Sequence, residues 1–209
     1  MASRPTATSF ALLGLLGLQP WTAYELVAQT RRSLHYFWPR SEAHLYAELK
    51  RLVDRGHARA EVVAGRRRQR TRYTITPAGR AALEDWLGSE PAAPTIEVEA
   101  LLRLLLADQG TLADLRSTLA ATARQARELR DGALALGDEL LSTGGPFPHR
   151  LHLTERVVAL YGEFLLLLIG WCDETSHDVD TWSDTRDVGL TPDGRLRLER
   201  LIARAREIS

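Results

Sequence analysis

The sequence predicts a mainly α-helical protein of two parts, with one β-hairpin in the N-terminal part. Apolar residues recur at helical spacing through most of its 209 residues. Near residue 66, two runs rich in strand-forming residues flank a short turn. The stretch 89–96 is rich in proline and small residues, which is typical of a linker. We therefore expect one domain at 1–88 and another at 97–209.

The N-terminal part begins with three predicted helices. The apolar run 10–18 suits a buried first helix, and Thr22 with Glu25 forms a capping box that begins a second helix reaching about residue 32. The third helix runs from Ser41, a suitable N-cap, to Arg55. Its apolar positions fall at i, i+4, i+7 and i+8 and predict one buried stripe: Leu45, Leu49, Leu52 and Val53.

A basic hairpin follows the third helix. Gly56 ends the helix, and residues 57–63 and 70–75 read as two strands. Five arginines occupy the tip and the return strand: Arg66, Arg67, Arg68, Arg70 and Arg72. Thr76-Pro77 then begins a fourth helix that ends near residue 87. A core-anchored helix followed by a basic hairpin is the layout of a winged helix, here with three helices and a two-stranded wing.

The C-terminal part is predicted to be all-helical. Helices are expected at 97–107, 111–141, from about 149, and 191–208, with the acidic stretch 177–187 read as turn-like. The long helix keeps heptad spacing over four repeats, as in a coiled coil. The helix from 149 is apolar on more than one face and must be covered on more than one side. A two-fold dimer with interleaved helices is the simplest solution. The residues assigned to dimerisation are Leu112, Leu115, Leu119, Ala126, Leu129, Leu136, Leu140, Leu160, Phe164 and Trp171.

Charge is unevenly divided between the two parts. Residues 1–90 hold 14 basic and 8 acidic residues, whereas residues 91–209 hold 13 and 19, although the whole chain has no net charge. This division is typical of a nucleic-acid-binding domain joined to an assembly domain. A chance imbalance on solvated faces is the alternative, but the excess of positive charge is concentrated on the predicted hairpin.

Opposite its buried stripe, the third helix carries small and basic residues. Alanines there allow close approach to a groove floor, and cations can meet phosphates or guanine edges. Tyr46 can donate its hydroxyl group to a phosphate or simply cover the helix flank. The candidate DNA contacts of this helix are Ser41, Ala43, His44, Tyr46, Lys50 and Arg51, and those of the hairpin are its five arginines.

The sequence offers no combination of residues that would support catalysis. Cys172 lies in an apolar helix, and the pair His149 and His152 lacks further ligands for a metal. We expect no enzyme activity, no cofactor and no metal. One cysteine, no signal-peptide pattern and no apolar stretch long enough for a bilayer indicate a soluble cytoplasmic protein.

The N-terminal half resembles the winged-helix domain of the PadR family of transcriptional regulators. The matching stretches are FALLGLL at 10–16, YEL at 24–26, FWPRS at 37–41, LYAELKRLVDRG at 45–56 and RTRYTITPAGRAALEDWL at 70–87. The C-terminal half resembles the helical dimerisation domain of the longer members through LLRLLLAD at 101–108 and EFLLLLIGW. The chain departs from the family at Ala47, where proline is usual, and at Ala23, where glycine is usual.

The resemblance implies a homodimeric repressor that binds double-stranded DNA at an inverted-repeat operator. Members are often released by a small hydrophobic effector bound near the dimer interface. Tyr161, Phe164 and Trp171 are candidates to line such a pocket, although aromatic residues at core spacing are also ordinary core residues. The competing interpretation is a winged-helix module for protein–protein interaction and assembly, without specific DNA readout.

Overall fold

The computed structural model describes residues 4–64, 70–186 and 188–208. It divides the chain into two compact units, residues 1–94 and 95–209. The predicted linker at 89–96 surrounds this division, and each unit has its own packing.

The N-terminal unit contains four helices and a small sheet. Its elements are α1 (Ala7–Leu18), β1 (Trp21–Thr22), α2 (Ala23–Ser33), α3 (Glu42–Asp54), β2 (Ala58–Val63), β3 (Arg70–Ile75) and α4 (Pro77–Leu87). The sheet is antiparallel in the order β1-β3-β2, so β3 is the central strand. The predicted two-stranded wing is therefore part of a three-stranded sheet. The additional strand, β1, is only two residues long.

Leucines from the first three helices form the core of this unit. The most deeply buried are Leu12, Leu13, Leu16, Leu26, Leu45, Leu49 and Leu52. Three of these are the stripe predicted for α3, whereas Val53 is only partly buried. Burying each leucine favours folding by roughly 1.5–3 kcal/mol, so α3 is held firmly by its inner side.

Local side-chain chemistry sets the helix starts, as predicted. The Thr22 hydroxyl accepts from the Glu25 N–H at 3.3 Å, and the Thr22 N–H donates to Glu25 Oε2 at 2.8 Å. Thr76 caps α4 by accepting from the Gly79 N–H at 3.1 Å. Gly79 has no room for a side chain, because a Cβ atom there would lie 2.1 Å from the His57 carbonyl oxygen. Helix α4 is therefore packed directly on the turn that leads into β2.

The C-terminal unit is helical throughout its described elements. They are α5 (Glu99–Leu105), α6 (Leu112–Thr143), α7 (Leu151–Asp180) and α8 (Pro192–Glu207), with 3-10 turns at Ala107–Gln109 and Pro148–Arg150. The expectation of a turn from residue 177 was wrong, because α7 continues to Asp180. Val179 explains the extension: it is fully buried and follows Leu165 and Cys172 at intervals of seven residues.

Helices α6 and α7 pack against each other within one chain. The buried residues of α6 are Leu115, Leu119, Ala123 and Ala126, and those of α7 are Leu165, Cys172 and Val179. Two ion pairs join the same helices, Arg116 with Asp180 at 2.9 Å and Arg127 with Asp173 at 2.8 Å. The buried face of α6 is thus covered by α7 of the same chain.

This packing concerns several residues assigned to dimerisation, and that assignment stays a prediction. Leu115, Leu119 and Ala126 are buried by their own chain, and Leu112 and Trp171 pack against the cluster of Leu115, Leu119 and Val179. A heptad pattern describes a helix pair but does not say whether the partner helix is in the same chain. Leu129 and Leu160 are exposed, whereas Leu136, Leu140 and Phe164 are partly exposed.

A second apolar stripe of α7 remains uncovered by its own chain. Its exposed members are Leu153, Val157, Leu160 and Leu167. Leu160 and Leu167, seven residues apart, are 75% and 70% exposed. A contiguous row of exposed aliphatic side chains is typical of a protein–protein contact surface.

Candidate nucleic-acid interface

The outer face of α3, defined here as Ala43, Tyr46, Ala47, Lys50 and Asp54, is exposed. Two alanines and one lysine give it a low profile with a cation near the middle. His44 is partly buried at the edge of this face. The Ser41 hydroxyl accepts from the His44 N–H at 3.3 Å, so this side chain caps the helix. Small side chains beside a lysine and a tyrosine hydroxyl group leave hydrogen-bond donors on a helix face that a partner can approach closely.

Arg51 lies next to the outer face and has an intramolecular partner. Its guanidinium group pairs with the carboxylate of Glu48, and half of the Arg51 side chain remains exposed. Glu48 itself is buried, and its other carboxylate oxygen accepts from the Ser9 hydroxyl at 2.5 Å. The sequence interpretation missed Glu48, although its position three residues after Leu45 places it on the buried stripe. Arg51 is thus both a candidate DNA contact and the partner of a buried anion.

The ionisation of Glu48 follows from these contacts. Burial is the largest influence and raises the pKa of Glu48, but the hydrogen bonds from Ser9 and Arg51 lower it. The positive charges of Arg51 and His44 act in the same direction, and the net result is a pKa below the usual value. Glu48 is therefore a carboxylate at neutral pH.

Two of the five hairpin arginines lie on the described part of β3. Arg70 and Arg72 are exposed and, being two residues apart on a strand, share one face of the sheet. Arg72 is paired in register with Thr22 of β1 and Glu61 of β2. Arg66, Arg67 and Arg68 lie outside the described residues. The central strand thus carries a pair of cations on one face.

Arg70 and Arg72 also affect the ionisation of Glu25 in the first turn of α2. The hydrogen bonds from Thr22 are the main cause of the lowered pKa of Glu25, and the charges of Arg70 and Arg72 lower it further. Glu25 is therefore ionised well below neutral pH, and it compensates part of the positive charge of β3. The carboxylate at the start of α2 and the two arginines of β3 thus attract each other electrostatically.

The loop before α3 contains a cation that the sequence interpretation did not single out. The guanidinium carbon of Arg40 lies 4.7 Å from the centre of the Trp38 ring, and the indole N–H of Trp38 donates to Thr8 Oγ1 at 3.1 Å. Arg40 directly precedes the N-cap Ser41. The FWPRS stretch, which carries part of the family resemblance, contains both residues. This places one more oriented cation beside the start of α3.

The predicted effector residues are only partly brought together. The Tyr161 and Phe164 rings have centroids 6.4 Å apart, whereas Trp171 packs against the Leu115 cluster. A separate open cleft of about 580 Å³ lies between α5 and the start of α6, lined in part by Leu102, Leu106 and Leu115. None of the three aromatic residues lines it.

Neither a cluster of metal-ligating residues nor a membrane-spanning helix is found in the described part of the chain. Residues 4–64, 70–186 and 188–208 contain no group of three or more histidine, cysteine or acidic residues placed to hold a metal ion. Within the same ranges, no helix combines the length and apolar character required to cross a membrane. The Cys172 thiol is buried, and its pKa is raised by that burial, which makes it a poor nucleophile.

Comparison with known proteins identifies the N-terminal unit. Residues 12–85 match the model of the transcriptional regulator PadR-like family. The negative transcriptional regulator PadR of Bacillus subtilis is 30% identical over 96 residues, which are 45% of this chain and 53% of that protein. The chain thus matches about half the length of its curated relatives.

Solved structures show that the fold is shared. Bacillus subtilis PadR in complex with operator DNA has a TM-score of 0.69 and 20% identity, covering 83% of this chain and 99% of that one. The same protein in complex with p-coumaric acid has a TM-score of 0.64 and 20% identity, covering 84% and 99%. The family and these relatives are transcriptional regulators rather than enzymes. Residues 12–85 thus form a winged-helix domain that matches the PadR-like family of transcriptional regulators, and the chain shares its fold with Bacillus subtilis PadR.

Proposed function

We propose that this protein is a homodimeric repressor that binds double-stranded DNA in a sequence-specific way. The observation that carries the proposal is the outer face of α3 together with Arg70 and Arg72 of β3. Both surfaces are exposed and carry cations, and both belong to elements whose other sides are fixed by the core or the sheet. A groove-reading helix beside a basic strand is what a winged helix requires for DNA binding.

Helix α3 would read bases, and the wing would bind the backbone. Ala43 and Ala47 permit close approach, and Lys50 and Tyr46 can donate hydrogen bonds to base edges or phosphates. Arg66, Arg67 and Arg68 add three positive charges to the hairpin sequence. Clustered arginines are most stable when a polyanion neutralises them.

The second half of the proposal is a dimer of identical chains. The exposed stripe of α7 around Leu160 and Leu167 gives a second copy an apolar surface to cover. A two-fold axis would present two α3 helices to two half-sites, so the operator would be an inverted repeat. The repressor role is supported by the Bacillus subtilis relative, whose name describes a negative regulator.

We also propose release by a small hydrophobic effector. Support comes from the complex of Bacillus subtilis PadR with p-coumaric acid, which shares the fold. In this chain, Tyr161 and Phe164 are partly exposed neighbours on α7 and can offer ring surfaces to an aromatic ligand. Thermal shift with p-coumaric acid and related phenolic acids would test this part separately from DNA binding.

DNA binding is tested with a random-sequence 40-base-pair duplex pool, titrated by fluorescence anisotropy at several salt concentrations. Arg70→Ala with Arg72→Ala should reduce the slope of log affinity against log salt by about 0.9 for each phosphate that the protein no longer neutralises. Arg80→Ala, at an exposed position of α4, is the matched control and should leave the slope unchanged. Lys50→Ala should change which sequences are enriched from the pool.

Two results would contradict the proposal. Wild-type protein that fails to bind duplex DNA at low salt would exclude the DNA-binding role and favour a protein-interaction module. Binding that is indifferent to both salt and the Arg70 and Arg72 substitutions would exclude the assignment of the wing.

A further inference from the structure

A carboxylate lies buried inside the helix proposed to read DNA. Glu48 is on α3 between Leu45 and Leu49, and it is 1% exposed. An anion at this position costs free energy, both through desolvation and through proximity to bound phosphates. A buried carboxylate is stable only if nearby hydrogen-bond donors or cations compensate its charge. The partners of Glu48 therefore indicate its role.

On one side, Glu48 is held by the start of α1. The Ser9 hydroxyl group accepts from the Thr6 N–H at 2.9 Å, so its own hydrogen is available for Glu48 Oε2 at 2.5 Å. Ser9 is fully buried and belongs to the capping box of α1. The carboxylate is thereby fixed in orientation by an element outside α3.

On the other side, Glu48 holds Arg51. Its Oε1 atom pairs with Nη1 of Arg51, three residues later on the same helix. The guanidinium group is planar, so fixing one nitrogen fixes the directions of its other N–H donors. Half of the Arg51 side chain is exposed, which leaves donors accessible from outside the protein. Arg51 is thus an oriented donor whose charge is largely compensated.

We propose that Glu48 is a positioning residue that presents Arg51 to the duplex as a directional hydrogen-bond donor for sequence discrimination. This inference rests on the proposed DNA-binding function. Because Glu48 compensates the charge of Arg51, the pair contributes geometry rather than general attraction to phosphates. Removing the carboxylate charge therefore has two opposite effects: discrimination falls, whereas affinity for arbitrary DNA stays equal or rises. General damage to the fold would lower both.

The experiment uses the full-length protein and two probes. One is the duplex most enriched from the random pool by the wild-type protein, and the other is a scrambled duplex of the same composition. Glu48→Gln should reduce the ratio of the two affinities by on the order of tenfold to a hundredfold, as for one bidentate base contact. Affinity for the scrambled duplex should not fall. Arg51→Ala should reduce the ratio equally, and the double variant should show no further loss.

Two variants serve as controls. Ser9→Ala removes the hydrogen bond that orients the carboxylate but leaves the ion pair in place, so it should reduce the affinity ratio by less than Glu48→Gln does. Arg51→Lys keeps the charge but loses the planar fork, and it should lose the ratio as fully as Arg51→Ala. This second variant keeps the test decisive if Glu48→Gln fails to fold.

An unchanged ratio in folded Glu48→Gln, or a retained ratio in Arg51→Lys, would overturn the inference while leaving the proposed function intact. Strictly additive losses in the double variant would overturn it as well. Wild-type protein that binds neither probe at low salt would overturn the proposed function itself.

Discussion

Leu160 provides the sharpest test of the proposed dimer. It is 75% exposed on α7, whereas Leu165, five residues later on the same helix, is 1% exposed and packs within the chain. The two leucines share a helix and a residue type but differ in which surface covers them. Changes at Leu160 should therefore affect association between chains and leave the fold of each chain largely intact.

The expected magnitude follows from the exposed area. Full burial of a leucine favours association by roughly 1.5–3 kcal/mol, and three quarters of this surface is available for burial. A two-fold interface contains the residue twice, which gives roughly 2–4 kcal/mol for its complete loss. At about 1.4 kcal/mol for each factor of ten, Leu160→Ala should raise the dimer dissociation constant by on the order of tenfold to a thousandfold. Leu160→Glu should be more disruptive, because it places a charge in the interface.

Sedimentation velocity across a wide concentration range measures this constant directly. Circular dichroism should show unchanged helix content in both Leu160 variants, since the intrachain core is untouched. A Leu160→Glu protein that sediments as a dimer like the wild type would refute the assignment of this face. Monomeric wild-type protein at high concentration would refute the dimer altogether.

Three further outcomes are expected from the described packing. Leu165→Ala should lower the free energy of unfolding by about 2–5 kcal/mol in urea titrations, because it opens a cavity between α6 and α7. Gly79→Ala should cost at least about 1–3 kcal/mol, since its Cβ would collide with the His57 carbonyl, whereas Gly14→Ala meets nothing within 4 Å and should be neutral or stabilising. The pKa of Glu48 is lower in the folded state than in the unfolded chain. Ionised Glu48 therefore stabilises the fold above about pH 4.3, and this contribution is lost as the pH falls through the folded pKa. Over that pH range, the urea midpoint of the Glu48→Gln variant should fall less than that of the wild type.

Local chemistry explains which elements could be predicted from the sequence. Helix starts at Thr22, Ser41 and Thr76 depend on residues within one turn, and the structure places N-caps at all three. The strand β1 could not be predicted in this way. Two residues have no readable periodicity, and Trp21 and Thr22 become a strand only because they pair with Tyr73 and Arg72.

Tertiary packing determines the features that local sequence patterns do not predict. Helix α7 carries two apolar stripes, and periodicity alone does not say which one α6 covers. The structure selects the stripe of Leu165, Cys172 and Val179. Apolar spacing does not predict the burial of Glu48 for a related reason, since a carboxylate interrupts the apolar pattern of the α3 stripe. Its burial becomes understandable only when Ser9, 39 residues earlier, is seen beside it.

Thr22 both caps helix α2 and belongs to strand β1. Its hydroxyl and amide groups begin α2, while its backbone pairs with Arg72 on the central strand. A sliding of α2 would break the cap and the strand pairing together. Helix α2 and strand β3 are therefore mechanically coupled through Thr22, so a displacement of one element would also displace the other.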